Sequence, residues 1–139
     1  MKPTLFIALA LTLVFSHQAK ADDLTRADLS IFFEHIYFVD GQWEFKFSSS
    51  SRGMLWRMRN DDSDVTGVCT SGQVLTVKPS SSLEIKRKDL DLILSPRGPV
   101  RFWARLTLKP DPMNSDAGDY KEAFLNAKGA GFGLVHARD

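Results

Sequence analysis

The residues of this chain that could do chemistry are few, and they do not form a known catalytic pattern. Of three histidines, His17 lies in a predicted leader, so His35 and His136 would remain in the mature protein. A hydrolytic triad needs a positioned nucleophile and an oriented base. The sequence contains no G-x-S-x-G, S-x-x-K or H-E-x-x-H motif. We therefore expect a protein that is not an enzyme.

Two short motifs suggest a bound ion or cofactor, but each lacks an essential part. The stretch DSDVTG, residues 62–67, matches the opening of a calcium loop, yet Gln73 stands where the bidentate glutamate is required. GAGFG, residues 129–133, lacks the glycine spacing and preceding strand of a dinucleotide site. We interpret these stretches as a polar hairpin loop and a flexible tail, and we predict no metal and no cofactor. The serine runs 48–51 and 80–82 are interpreted as solvated turns.

The remaining candidate for function is a surface. On two predicted strands, arginines and one tryptophan occupy positions that point away from the core, because they alternate with apolar residues. If the two strands lie side by side, these positions form a basic, aromatic surface of the kind that is enriched where proteins bind partners. The alternative is an ordinary solvated face on which a C-terminal helix half-covers the tryptophan. The candidate partner-binding residues are Arg57, Arg59, Arg101, Trp103 and Arg105.

Alternation of apolar and polar residues predicts the strands that carry these side chains. The clearest run is VRFWARLTLK, residues 100–109, in which the even-numbered residues up to 108 face inward. WEFKF, residues 43–47, alternates in the same way, and Asp40-Gly41 just before it favours a tight hairpin turn. The run 31–39 is the expected partner strand, although its spacing also fits a helical stripe. The predicted core contains Trp43, Phe45, Phe47, Trp56, Leu92, Phe102 and Leu106.

About seven such strands, with no long helices between them, predict an all-β fold. We expect an antiparallel β-sandwich of immunoglobulin-like topology, with a small barrel as the alternative, over residues 22–110. The C-terminal extension, residues 111–139, should contain a short helix over 119–128, because Asp119 and Glu122 have the spacing of a capping box. The apolar stripe of that helix would consist of Tyr120, Phe124 and Ala127, with Gly129 at its end.

The N-terminus has the pattern of a secretory signal. Lys2 precedes an apolar run, residues 5–15, which is too short to span a bilayer as an independent helix. Ala19-Lys20-Ala21 then supplies a small-x-small cleavage motif. We expect residues 1–21 to be removed and the mature protein to be periplasmic or secreted, without membrane insertion.

The composition of the expected mature chain restricts its partners and its redox chemistry. Of the 18 Lys and Arg residues, Lys2 and Lys20 lie in the leader, which leaves 16 against 17 Asp and Glu. This balance does not favour attraction to nucleic acid or to an anionic membrane. Cys69 is the one cysteine, so no intramolecular disulfide can form. We interpret it as a small buried hydrophobic residue, with an intermolecular bridge or reactive thiol as the alternative, and expect a monomer or weak dimer.

The order of these segments resembles a known family. Six segments follow one another over about residues 31–109: IYFVDGQWEFKF, a serine-rich link, MLWRMR, a polar loop, GQVLTVKPSSSLEI and LDLILSPRGPVRFWARLTL. This order resembles that of the small periplasmic chaperones of curli subunits. The likeness lies in strand order, turn placement and an L-S-P-x-x-x-V joint, whereas the long tail and the lack of paired cysteines depart from the family. The resemblance implies an immunoglobulin-like fold that holds amyloid-forming fibre subunits soluble during export.

We therefore expect an exported, non-enzymatic binding protein, with a chaperone of curli-like fibre subunits as the leading hypothesis. Its partner would be a disordered fibre-subunit protein, held on a rigid sheet surface that does not template a cross-β stack. Two alternatives remain open. The chain could be an exported structural, adhesin or pilus-associated subunit, or a secreted inhibitor of another organism's enzyme.

Overall fold

The computed structural model describes residues 21–98, 100–108, 119–127 and 132–136, and side chains within these ranges except those of 21, 22, 127 and 132–136. Residues 1–20 of the predicted leader lie outside the described residues, as does the whole segment from residue 109 to residue 118. The described elements are β1 (Ala21–Asp23), α1 (Arg26–Leu29), β2 (Phe33–Val39), β3 (Gln42–Phe47), a 3-10 turn (Ser49–Ser51), β4 (Leu55–Arg59), β5 (Asp64–Val68), β6 (Val74–Val77), β7 (Ser82–Arg87), β8 (Leu90–Pro96), β9 (Arg101–Leu108), β10 (Tyr120–Ala127) and β11 (Phe132–His136).

The strands form two sheets, which confirms the predicted all-β, sandwich-like fold. The large sheet has eight strands in the order β1-β10-β9-β8-β7-β4-β5, with β11 also paired to β10. The small sheet has the order β2-β3-β6. Neighbouring strands are antiparallel, apart from the parallel pair of β1 and β10. The strands are divided between the sheets more unequally than in a constant-type immunoglobulin domain, because β7, β8, β9 and β10 follow one another as a meander in one sheet.

Local sequence explains the tight turns between these strands. Asp40 and Gly41 have φ angles of 52° and 77°, so both central residues of the β2–β3 turn lie in the left-handed region. This is the geometry of a type I′ hairpin turn, as the Asp-Gly pair predicts. The charged run between β7 and β8 forms a second hairpin turn, in which Arg87 Nε donates to Asp89 Oδ1 at 2.6 Å.

The core lies between the two sheets and is rich in aromatic rings. All seven predicted core side chains are buried. Phe102 of the large sheet lies edge-to-face against Trp43 and Phe45 of the small sheet, with ring centroids 5.0 and 6.0 Å apart. These contacts join β9 to β3 across the sandwich, and edge-to-face pairs add to the stability from burial alone. Val100 was expected to face inward but is 41% exposed, because it precedes the first paired residue of β9, Arg101.

The predicted helix over residues 119–128 is wrong. Residues Tyr120–Ala127 form strand β10, which pairs with β9 from Tyr120 opposite Thr107 to Asn126 opposite Arg101. The C-terminal segment is therefore part of the large sheet. The helix that does form within the described residues is α1, which the sequence analysis missed: Thr25 caps it, and the Asp28 carboxylate accepts from the Thr25 backbone N–H at 2.9 Å.

The serine-rich turns are less solvated than predicted. Ser48 and Ser51 are buried, and so is Ser81 in the second run. The Ser48 hydroxyl donates to the Ile31 carbonyl at 2.6 Å, and the Ser51 hydroxyl donates to the Ser48 carbonyl at 2.9 Å. These bonds satisfy polar groups that the turn buries, so the first serine run helps to hold the connection from β3 to β4 in place.

Within the described ranges, no helix is long and apolar enough to cross a membrane.

Candidate protein-binding surface

The five predicted partner-binding residues all lie on the outer face of the large sheet, the face directed away from the small sheet. Arg101, Trp103 and Arg105 alternate with buried residues on β9, and Arg57 and Arg59 alternate in the same way on β4. Strands β8 and β7 lie between β9 and β4. Three interstrand spacings amount to roughly 14 Å. The residues therefore share one face but form two separate groups.

The group on β9 is enlarged by aromatic side chains from β10. We refer to Arg97, Arg101, Trp103, Arg105, Tyr120 and Phe124 as the arginine–aromatic cluster. The register places Phe124 opposite Trp103 on the neighbouring strand. Arg105 lies over the Tyr120 ring at 3.9 Å, and Arg101 lies over the Phe124 ring at 4.2 Å. Arg97 and Arg105 lie 5.2 and 5.9 Å from the Trp103 ring. Every arginine in the cluster therefore contacts an aromatic face.

The arginines of this cluster are held by rings and not by carboxylates. Within the described residues, none of Arg97, Arg101 and Arg105 forms an ion pair, and the Nε atoms of Arg101 and Arg105 are buried without a hydrogen-bond partner. Each cation–π contact contributes about 0.5–2 kcal/mol, depending on its exposure. A guanidinium stacked in this way keeps its charge and its terminal N–H donors for another molecule.

The group on β4 is different, because one of its arginines is already engaged. Arg57 donates from Nε to Asp64 Oδ1 at 2.9 Å and makes a second bond from its terminal nitrogen to the same carboxylate. The hydrogen bond from Arg57 holds the pKa of Asp64 below its ordinary value. Arg59 is exposed and forms no ion pair within the described part of the chain. Arg59 is thus the available cation of this group.

The outward side chains of β7 and β8 separate the two groups. The outward positions of β8 and β7 next to the arginines include Ile93, Ser95, Ser82 and Glu84. A groove of about 400 Å³ opens on the same face near β5, the outermost of the described strands on that side of the sheet. Its lining includes Leu55, Arg57, Thr66, Val68, Glu84 and Lys86.

The calcium-loop-like motif and Cys69 lie within the described residues, whereas the first three residues of GAGFG and the side chain of His136 lie outside them. Asp62 and Ser63 of DSDVTG lie in a turn, where the Asn60 side chain accepts from their backbone N–H groups, and residues 64–67 belong to β5. Among the described residues, no group of three His, Cys, Asp or Glu side chains could hold a metal ion. Cys69 is buried, as expected, and burial raises the pKa of its thiol to about 11.

The sequence analysis missed half of the arginine–aromatic cluster. Tyr120 and Phe124 were assigned to a helix, and Arg97 was not singled out. The sequence around Phe124 carries no clear two-residue signal, because Ala123, Phe124 and Leu125 are all apolar. The structure shows that Ala123 and Leu125 face the core. Comparison of the chain with protein-family models, with curated proteins and with solved structures found no match.

Proposed function

We propose that this chain is an exported, non-enzymatic chaperone that holds extended, fibre-forming polypeptides, of the curli-subunit type, on the outer face of its large sheet. In this proposal the protein acts in the periplasm or outside the cell. The arginine–aromatic cluster is the primary contact surface for the client. Arg59 lies on the same face and extends this surface toward β5.

One observation carries the proposal: three guanidiniums without ion pairs are stacked on three aromatic rings of a regular sheet face. Arginine and large aromatic side chains are the residue types that contribute most to protein interfaces. The positive charge of the arginines favours acidic or polar segments of a client. The aromatic rings supply apolar contact at little cost in side-chain entropy. A binding face, unlike a free strand edge, offers no backbone groups on which a bound chain could extend a β-sheet.

The test is a fibre-formation assay with a purified curli-type subunit, followed by thioflavin fluorescence. Substoichiometric wild-type protein should delay fibre formation, and raised salt should weaken the delay because exposed charges are screened beyond about 8–10 Å. The double variant R101E/R105E should lose the delay. The control R52E/K88E changes the net charge equally at exposed turn positions, and it should keep the delay. No delay by the wild-type protein at any salt concentration would contradict the proposal.

A second candidate function, that of a structural subunit of an exported fibre, is favoured by the edge of the large sheet. Among the described strands, β5 pairs with β4 alone, and Val65 and Val68 are 44% and 52% exposed. Free strand edges with exposed apolar side chains can accept a strand from another chain. In that case the purified protein would assemble with a folded partner, and proline at Thr66 would prevent assembly while R101E/R105E would not.

A further inference from the structure

Between the two groups of arginines, the outer face of the large sheet carries two serines at neighbouring positions. Ser95 lies opposite Trp103 in the β8–β9 register, and Arg59 lies opposite Ser82 in the β4–β7 register. The β7–β8 register, continued by one residue pair, places Ser82 opposite Ser95. These four outward positions therefore form one line that crosses the strands. We refer to Trp103, Ser95, Ser82 and Arg59 as the cross-sheet trough.

The trough has a low floor between taller side chains. Its two central positions are serines, which are small and half-buried. Neither serine hydroxyl is engaged in a hydrogen bond within the described part of the chain. The parallel line of positions beside it holds the larger side chains Arg57, Glu84, Ile93 and Arg105. The serines can therefore donate to, or accept from, the backbone of a chain that lies across the strands.

The two ends of the trough favour different side chains. At one end, Trp103 lies beside Phe124 and under Arg97, which suits an aromatic or aliphatic residue. At the other end, Arg59 is an exposed cation without an ion pair among the described residues, which suits a carboxylate. Asp64 lies opposite Arg59 on β5 but is engaged by Arg57. The charges of both Arg57 and Arg59 lower the pKa of Asp64, so two arginines share one carboxylate and this group of three has one positive charge in excess.

We propose that the cross-sheet trough binds an extended acidic polypeptide segment perpendicular to the strands, with an apolar side chain on Trp103 and an Asp or Glu carboxylate on Arg59. This inference rests on the proposed function and specifies the segment of the client that is held. The distance from β9 to β4 is roughly 14 Å, and an extended chain rises about 3.3 Å per residue. The two recognised residues are thus about four positions apart in the client.

The spacing is tested with two synthetic peptides of identical composition. The first has one Phe and one Asp four positions apart in a Gly/Ser/Thr background, and the second has the same residues adjacent to each other. Affinities are measured by titration of isotope-labelled full-length protein and detection of amide shift changes. We expect the first peptide to bind about tenfold more tightly, which corresponds to about 1.4 kcal/mol. Equal affinities would contradict the proposed geometry.

The position of the peptide is tested by filling the trough. S82Y and S95Y place large rings on outward strand positions, where aromatic residues are well tolerated, and each should weaken binding of the first peptide at least tenfold. T107Y adds a comparable ring elsewhere on the outer face of β9 and should leave the affinity unchanged. R59E should weaken binding of the Asp peptide and strengthen binding of a matched Lys peptide. Unchanged affinity in folded S82Y and S95Y would overturn the proposal.

The fibre-formation assay separates this inference from the proposed function. If wild-type protein delays fibre formation and R101E/R105E abolishes the delay, but S82Y and S95Y keep it in full, the chaperone function holds and the trough is not the client site. If wild-type protein binds the spaced peptide but delays no fibre, the trough is a peptide site of a protein with another function.

Discussion

The substitution G67A tests how closely β5 packs against Trp56. A Cβ atom at residue 67 would lie 2.5 Å from Trp56 Cζ2 and 2.6 Å from Cε2. Carbon atoms in contact are ordinarily about 3.5–4.0 Å apart, so the added methyl group overlaps the indole by about 1 Å. The indole belongs to the buried core and is 8% exposed, so it has little room to move. Overpacking of this kind costs about 1–3 kcal/mol, and we expect about 2 kcal/mol.

The measurement is the free energy of unfolding from urea titration in a double-mutant cycle with W56F. Phenylalanine lacks the second ring of the indole, so G67A in the W56F background should be neutral or stabilise by about 0.5 kcal/mol, through the reduced entropy of the unfolded chain. G72A is the matched control, because a Cβ there meets no atom within 4 Å while φ is 79°. Its cost should be the same in both backgrounds. Wild-type stability in G67A, or an equal cost in both backgrounds, would refute the packing argument.

Three further predictions concern the core and two titrating groups. F102A should destabilise by about 3–5 kcal/mol in urea titration, because it removes the ring that joins the two sheets. Burial raises the pKa of Cys69 to about 11 from 9.0. The protonated thiol therefore stabilises the fold fully below about pH 9, and this stabilisation is lost between about pH 9 and 11. The free energy of unfolding of C69A should not show this decrease. For Asp28, burial raises the pKa, but hydrogen bonds from Thr25 and Lys121 and the charge of Lys121 outweigh it and lower the pKa overall. Its stabilisation is therefore present above the ordinary carboxyl pKa and lost as pH falls through the lowered value. D28N should be less stable than wild type at neutral pH, and this difference should shrink as pH falls below the ordinary carboxyl pKa.

The strands with strict alternation were predictable because each has one buried face. On β9, Phe102, Ala104 and Leu106 are buried and the residues between them are half-buried. On β10, the sequence pattern was ambiguous. Tyr120 and Phe124 are four positions apart, and this spacing places two side chains on one face in a strand as well as in a helix. The tertiary pairing with β9 decided between the two, and local sequence does not contain that information.

The sequence predicted which side of its strand each candidate residue occupies, but not how far apart the residues lie on the sheet. Alternation identified Arg101, Trp103 and Arg105 as outward, and the structure agrees. It did not reveal that two strands separate them from Arg59, because strand order depends on which strands pair across the sheet. The pairing of Arg57 with Asp64 likewise depends on the β4–β5 hairpin register. The length and position of the cross-sheet trough follow from this order and could not be read from the sequence.

Binding of the client by the outer face of the large sheet can be observed by chemical-shift mapping. Isotope-labelled protein would be titrated with an unlabelled curli-type subunit under conditions that keep the subunit monomeric. We expect the largest amide shift changes in β8, β9 and β10 and near Arg59, and we expect these changes to be lost in R101E/R105E. Changes confined to the small sheet, or to the free edge of β5, would contradict binding by this face.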